Sequence, residues 1–149
     1  MDKMVIIRPL LETDDAEWLR LRCALWPDFK VDDLKQEMAD IRLDPGGQPV
    51  FVAERPDGVL CGLVEVSIHK TAPGCITDRI GYLEAWYVDP DCRGQDVGRR
   101  LVEAAEAWAR SAGCREMASD TTPDYPISPQ AHAALGYQEV ERYFRKDLA

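Results

Sequence analysis

The stretch from Val88 to Leu101 constrains the fold of this chain more than any other. A short apolar strand ends there at Pro90, and a glycine-bearing, arginine-rich loop then leads directly into a long amphipathic helix. Such a loop leaves backbone N–H groups without partners at the N-terminus of the helix, where they can hold a phosphate. Arginine side chains strengthen a phosphate site through charge-assisted hydrogen bonds. The candidates are Arg93, Arg99 and Arg100. An ordinary basic turn between a strand and a helix is the alternative.

The spacing of the loop narrows the choice of ligand. The dinucleotide-binding fingerprint lacks the leading arginine and the Val-x-Pro entry found here, and the Gly-Lys-Ser/Thr of a Walker loop is missing from this chain. The pattern resembles the acetyl-CoA pyrophosphate loop of the GNAT acetyltransferases, with Asp96 in place of the first glycine. Aspartate tolerates unusual backbone angles better than most residues, so the loop can form. The resemblance implies acetyl-CoA as cosubstrate, bound by Arg93, Gly94, Gln95, Asp96, Val97, Gly98 and Arg99.

Charge excludes some classes of partner. The 149 residues include 18 basic and 27 acidic side chains, for a net charge of −9. Nucleic acid or an anionic membrane would demand a basic face, so neither is expected as the main partner. A cationic small molecule suits this balance, because carboxylates lining a cleft concentrate cations. An acidic surface that only keeps the protein soluble is the alternative.

The cysteines and histidines predict neither a metal site nor a disulfide framework. Five cysteines are scattered without a Cys-x-x-Cys pair, and the two histidines lie far apart. An odd number of unpaired cysteines fits the reducing cytoplasm. Neither a signal peptide nor a segment that could span a bilayer is evident, so we expect a cytoplasmic protein.

Hydrophobic periodicity and turn residues predict alternating strands and helices in the order β-α-α-β-β-β-α-β-α-β. Strands are expected at Val5–Pro9, Val50–Glu54, Val59–Ile68, Ile80–Val88, Cys114–Ser119 and Tyr137–Lys146. Helices are expected from Thr13 or Asp14 to Leu25, and at Asp32–Arg42, Val97–Ala112 and Ser128–Leu135. This is the order of the GNAT fold. The resemblance implies one α/β (α+β) domain over residues 1–149, with a mixed, mostly antiparallel sheet, splayed parallel strands 4 and 5, and about four helices.

In GNAT folds the cosubstrate lies in the gap between those two splayed strands. The resemblance implies a β-bulge in Tyr82–Val88 that turns main-chain N–H groups of Trp86, Tyr87 and Val88 toward acetyl-CoA. An N–H at Trp86 would hold the thioester carbonyl and its oxyanion. A plain buried strand is compatible with this role, since the proposed contacts use only main chain. Tyr125 stands where the family usually has an asparagine that contacts CoA.

A closer resemblance is to the aminoglycoside 6'-N-acetyltransferases within this superfamily. It is carried by Leu25–Asp28, Tyr82–Glu84, Arg115–Asp120, Ile127–Ser128, His132–Tyr137 and Glu141–Arg142. The run Arg-Glu-Met-Ala-Ser-Asp is its most specific part. The resemblance implies that Trp26, Glu84, Asp120 and Glu141 bind the substrate. Three of them also have a structural reading: Trp26 as core, Asp120 as the start of a turn, and Glu141 as an ordinary polar position of an amphipathic strand.

The chemistry of the reaction accounts for this set of residues. An aminoglycoside is a hydrophilic polycation, so carboxylates meet its ammonium groups and a flat aromatic covers a sugar face. The reacting amine must lose a proton, and Glu84 is the candidate base. The departing CoA thiolate needs a proton, for which His132 and Tyr143 are candidates. His132 packing structurally on its helix is the alternative.

The function expected from the sequence is therefore acetyl-CoA-dependent N-acetylation of an aminoglycoside at its 6'-amine, by direct transfer in a ternary complex. The alternatives are a GNAT enzyme for a polyamine or another cationic amine, and a non-catalytic acyl-CoA-binding module. Related enzymes are often dimers, so a homodimer is expected by analogy.

Overall fold

The computed structural model describes residues 4–149 as alternating strands and helices in nearly the predicted order. Strands are β1 (Ile6–Pro9), β2 (Val50–Glu54), β3 (Leu60–His69), β4 (Ile80–Val88) and β5 (Glu116–Ser119). Helices are α1 (Asp15–Leu25), α2 (Val31–Arg42), α3 (Val97–Ser111) and α4 (Ser128–Ala134), with short 3-10 turns at Glu12–Asp14 and Pro90–Cys92. Most of these bounds lie within one or two residues of the predicted ones.

The five strands form one sheet in the order β1-β2-β3-β4-β5. All neighbours are antiparallel except β4 and β5, which are parallel. This confirms the predicted mixed, mostly antiparallel sheet. The parallel pairing runs from Ile80 opposite Glu116 to Leu83 opposite Ser119. Beyond Leu83, β4 continues to Val88 paired with β3, so the two parallel strands separate there as predicted.

Helices cover both faces of the sheet, because its strands are apolar on both sides. Trp18 and Leu21 of α1 pack on one face against Leu63 of β3. On the other face, Leu101 and Ala105 of α3 pack in a cluster that includes strand residues such as Val64 and Leu83. Burying such a side chain completely contributes about 1.5–3 kcal/mol. The open end of the sheet, where β4 and β5 separate, therefore lies between two firmly packed layers.

The predicted bulge of β4 is at Glu84. Val66 of β3 lies opposite Leu83, and the next pair along the ladder joins Glu65 to Ala85, so Glu84 is the extra residue. A bulge leaves its extra residue outside the ladder and bends the strand. It therefore places the candidate base at the point where β4 leaves β5.

The prediction of a final strand at Tyr137–Lys146 is wrong. The chain after α4 turns at Gly136 and then has no regular secondary structure to its end. A strand needs a neighbour to accept and donate its ladder hydrogen bonds. In the described chain β5 is paired with β4 alone, and residues 137–149 do not join the sheet. The aromatic and β-branched residues of this stretch favour a strand, but the backbone partner is missing. We call residues 137–149 the final segment.

Candidate active site

The predicted phosphate loop has the backbone that phosphate binding requires. Asp96 precedes α3 in the left-handed conformation, with φ of 65°, and Gly94 has φ of 78°. Asp96 thus adopts the angle that the family's glycine would, as expected from the tolerance of aspartate for this region. Because α3 begins at Val97, its first-turn N–H groups have no partners within the helix. They lie next to the end of β4.

The arginines of the loop divide between two tasks. Arg93 donates from Nε to the Val88 carbonyl at 2.9 Å, which ties the loop to the end of β4. Arg99 lies 3.4 Å from the Asp96 carboxylate and is half exposed, so it is available to an anion at the loop. Arg100 donates to the Val5 carbonyl at 2.8 Å. This bond ties α3 to the residue that precedes β1, and the expectation that Arg100 also binds the phosphate stays a prediction.

Trp86 packs against Gly98 in the first turn of α3. A Cβ at Gly98 would lie 3.4 Å from the indole ring, and the indole N–H donates to the Gly98 carbonyl at 3.1 Å. The Trp86 side chain is thus used for packing. Its main chain lies beyond Leu83, the last residue of β4 that pairs with β5. The predicted main-chain contact with acetyl-CoA stays a prediction.

His132 is held by hydrogen bonds at both ring nitrogens. Nδ1 is 2.8 Å from the Ser128 carbonyl, which can only accept, so Nδ1 carries the hydrogen of the neutral ring. Nε2 therefore accepts from the Ser119 hydroxyl, at 2.8 Å. The ring also meets Trp86 edge to face, with centroids 5.2 Å apart. His132 is thereby connected to Ser119, the last residue of β5, at the mouth of the gap between the parallel strands.

An acidic cavity of about 360 Å³ opens beside the bulge. It brings together Trp26 and Glu84, two of the four residues predicted to bind substrate. The remaining lining residues are Arg22, Glu37, Asp40, Ile41, Gln48, Glu65 and Val66. Its four carboxylates face one guanidinium, so the cavity favours cations.

Trp26 is held in the cavity wall by two neighbours. The guanidinium of Arg22 lies 4.9 Å from the centroid of the Trp26 ring, and the ring of Phe29 stacks on the Trp26 ring with centroids 5.7 Å apart.

Tyr125 donates its hydroxyl to the Leu25 carbonyl at 2.6 Å, which joins the loop after β5 to the end of α1. Burial raises the pKa of this phenol, so it remains a donor at neutral pH. The predicted contact of Tyr125 with CoA stays a prediction.

Asp120 is connected to Glu84 through Tyr82 and His69. The Tyr82 hydroxyl donates to the Asp120 carboxylate. Burial, and then the hydrogen bond to Asp120, raise the pKa of Tyr82 well above its usual value, so the phenol keeps its proton at neutral pH. Tyr82 in turn stacks on His69, which bonds to Glu84. Asp120 and Glu84 thus belong to one chain of contacts.

Glu141 and Tyr143 lie on the exposed final segment. Glu141 raises the pKa of the exposed Tyr143 phenol. The Tyr143 phenol in turn raises the pKa of Tyr82. Both residues lie outside the lining of the acidic cavity. Their predicted roles stay predictions.

Several residues of this site carried no signal that singled them out in the sequence. Glu37 and Asp40 sit at helical spacing on the polar side of α2, where carboxylates are usually just solvated. Ser119 and His69 acquire partners 13 and 15 residues away. One pattern could have located His69. Two pairs of polar or aromatic residues stand at strand spacing on neighbouring strands, Ser67 with His69 and Tyr82 with Glu84.

These features define an acetyltransferase of the GNAT class. Residues 16–137 match the model of the Acetyltransferase (GNAT) family, and the chain belongs to this family. It is 43% identical to the aminoglycoside N(6')-acetyltransferase type 1 of Klebsiella aerogenes, over 99% of this chain and 100% of that protein. It is 42% identical to the enzyme of that name from Stenotrophomonas maltophilia, over 95% and 93% of the two chains.

Solved structures agree with these relatives. AAC(6')-Iy in complex with CoA superposes with a TM-score of 0.88 and 34% identity, over 100% of this chain and 98% of that one. The same enzyme with a bisubstrate analog, CoA-S-monomethyl-acetylneamine, superposes with a TM-score of 0.86 and 36% identity, over 97% and 99%. In residues 4–149 of the present structure, every helix is too short or too polar to cross a membrane.

Proposed function

We propose that this protein transfers the acetyl group of acetyl-CoA to the 6'-amine of an aminoglycoside, by direct attack in a ternary complex. One observation carries the proposal. β4, where its pairing with β5 ends, leads into the predicted phosphate loop, and an acidic, tryptophan-walled cavity lies beside its bulge. An acetyl donor that carries a phosphate group and an acceptor that is a polycation would meet at the gap between these strands. The full-length similarity to aminoglycoside N(6')-acetyltransferases supports the same function.

Acetyl-CoA is held mainly by backbone. The N–H groups at the start of α3 bind the pyrophosphate, assisted by Arg99. The pantetheine arm pairs with β4 along Trp86, Tyr87 and Val88, in the way an added strand pairs with the edge of a sheet. The Trp86 N–H then stabilises the oxyanion that forms on the thioester carbonyl.

The acceptor amine enters from the acidic cavity. Glu84 takes the proton of the substrate ammonium, and the freed nitrogen attacks the thioester carbon. The C–S bond breaks as the C–N bond becomes an amide, the nitrogen gives up its second proton, and the thiolate takes up one proton. His132 Nε2, through the Ser119 hydroxyl bonded to it, takes up the proton that the nitrogen releases and returns it to the thiolate at the mouth of the gap. Trp26 covers one sugar face, while Asp120 and Glu141 meet further ammonium groups.

The function is tested by comparing acceptors. We expect release of CoA thiol with kanamycin, little release with spermidine, and none above background without acceptor. Mass spectrometry should find one added acetyl group, and NMR should place it on the 6'-nitrogen. Equal turnover of an analogue with a 6'-hydroxyl would contradict the regiochemistry. Preference for spermidine would favour a polyamine acetyltransferase, and CoA binding without transfer to any amine would indicate a non-catalytic module.

Asp96→Gly should tighten CoA binding by about two- to ten-fold at low salt. The carboxylate repels the pyrophosphate, and salt screens this repulsion, so the gain should shrink as ionic strength rises. Glycine adopts the left-handed backbone without strain, which stabilises the folded loop. The variant also loses the attraction between the carboxylate and the helix dipole, and its unfolded loop gains conformational freedom, so these two losses of stability oppose the gain. The free energy of unfolding should therefore change by less than about 1 kcal/mol.

Calorimetric titration with CoA at two salt concentrations measures the effect of Asp96→Gly. The control is Asp57→Gly, which removes an exposed carboxylate from the β2–β3 turn. Weaker CoA binding by the Asp96 variant would mean that this side chain supports the loop and points away from the phosphates.

We also propose that the chain forms a homodimer through its final segment. This segment exposes four large apolar side chains, those of Val140, Tyr143, Phe144 and Leu148. A second copy offers the same surface, and pairing would supply the missing backbone partner. We expect a dimer by sedimentation at micromolar concentration, and a monomer for Phe144→Lys combined with Leu148→Lys. A monomeric wild-type protein would contradict the proposal.

The cytoplasm is the compartment we propose for this activity. All five cysteines are free thiols, and Cys61, Cys92 and Cys114 are buried. Burial raises the pKa of the Cys61 thiol to about 12, which keeps it protonated and unreactive. Unpaired cysteines of this kind are typical of reducing compartments.

A further inference from the structure

His69, the last residue of β3, faces Glu84 across the β3–β4 pair. Its Nε2 is 2.5 Å from Glu84 Oε1, and the Ser67 hydroxyl donates to the same oxygen at 2.5 Å. An ionised carboxylate can only accept, so His69 Nε2 carries the hydrogen of this bond. Within residues 4–149, the Glu84 carboxylate accepts these two hydrogen bonds only, and both are to Oε1. The other oxygen, Oε2, is therefore left for a ligand.

The imidazole of His69 is itself fixed. It stacks on the ring of Tyr82 with centroids 4.1 Å apart and planes 10° from parallel. Tyr82 is held at its other end by the hydrogen bond to Asp120. A continuous set of contacts therefore runs from Asp120 through Tyr82 and His69 to Glu84.

Glu84 needs such support because of where it lies. It is the extra residue of the bulge, and its side chain is 40% exposed. A free glutamate in that position would sample several rotamers, and holding it in one orientation during transfer would cost conformational entropy. A donor already fixed on Oε1 removes that cost before the substrate arrives and aims Oε2 outward.

We propose that His69 is a positioning residue for acetyl transfer, which orients the Glu84 carboxylate so that Oε2 meets the substrate ammonium. The proposal rests on the proposed function of Glu84 as the base. His69 acts through Glu84 alone, so it should affect the transfer step and leave the binding of acetyl-CoA unchanged.

Two amide variants of His69 separate this role from packing. His69→Gln keeps an N–H donor near the position of Nε2, whereas His69→Asn carries the same amide on a shorter chain and cannot reach Oε1. Both lose the stacking on Tyr82, so their difference reports on the hydrogen bond. With kanamycin as acceptor, we expect kcat of His69→Asn to fall by about ten-fold or more. We expect His69→Gln to stay within about three-fold of wild type, with KM for acetyl-CoA unchanged in both variants.

A second measurement detects the contact without catalysis. The chain has only two histidines, so the imidazole N–H resonances of ¹⁵N-labelled protein can be assigned by comparison with His69→Gln. A downfield Nε2–H resonance of His69 should be present in the wild type and should move upfield in Glu84→Gln. Absence of that resonance would overturn the proposal.

The two proposals fail in different ways. Equal kcat values for the Gln and Asn variants of an active enzyme would overturn the role of His69 and leave acetyl transfer intact. An inactive wild-type protein with the His69 resonance in place would overturn the proposed function, and the role of His69 with it.

Discussion

Replacing Glu84 by glutamine should lower kcat/KM for kanamycin by about 10- to 150-fold, because one hydrogen bond to a charged group typically contributes about 1.5–3 kcal/mol. The variant keeps the shape of the side chain and can still bond to Ser67 and His69, but it cannot take a proton from the substrate. Binding of CoA should stay unchanged, since the phosphate loop lies elsewhere. Steady-state kinetics together with calorimetric titration of CoA measure both quantities.

Asp120→Asn should also lower kcat/KM for kanamycin, because it removes a negative charge that the cationic substrate meets. Glu103→Gln is a matched control, since Glu103 is an exposed carboxylate of α3 outside the cavity. It should retain full activity. Full activity of both the Glu84 and Asp120 variants would mean that these carboxylates are ordinary surface charges and that the substrate binds elsewhere.

Glu65→Ala should lower the free energy of unfolding by about 3–5 kcal/mol, because it leaves a buried guanidinium with only the longer, 3.8 Å contact to Glu37 as a counter-charge. Arg22 is 1% exposed and binds Glu65 through two hydrogen bonds, of 2.8 and 3.0 Å. The Trp18 indole donates to the same carboxylate at 2.9 Å. Although burial opposes the charged form, Glu65 raises the pKa of Arg22, so the guanidinium stays charged. Urea unfolding at neutral pH, followed by circular dichroism, measures the loss.

The double variant Arg22→Met with Glu65→Leu separates the buried charge from the packing. Removing both partners eliminates the unpaired charge, so most of the stability lost in Glu65→Ala should return. The double variant should nevertheless bind kanamycin more weakly, because Arg22 no longer supports the Trp26 ring. A double variant as unstable as Glu65→Ala would show that the packing of these side chains, and not their charge, holds α1 against the sheet.

Local physics explains why so much of this fold could be predicted. The 3.6-residue period of α3 and the short apolar run of β2 are properties of short stretches of chain, and they appear in the structure where expected. The phosphate loop is equally local, because a strand, a turn and the first turn of a helix follow one another within the run from Val88 to Leu101. Trp26 and Glu84 were found through family resemblance, and the structure places both in one cavity.

The sequence by itself therefore determined the elements, the class of sheet and the phosphate loop, while the tertiary structure decided how the acidic groups are used. Glu65 meets Arg22 across 43 residues and Glu84 meets His69 across 15, and no periodicity encodes such pairs. The same reason explains the one wrong strand. Residues 137–146 include aromatic and β-branched residues that favour a strand, but a strand exists only where a neighbour completes its hydrogen bonds, and the described chain offers them none.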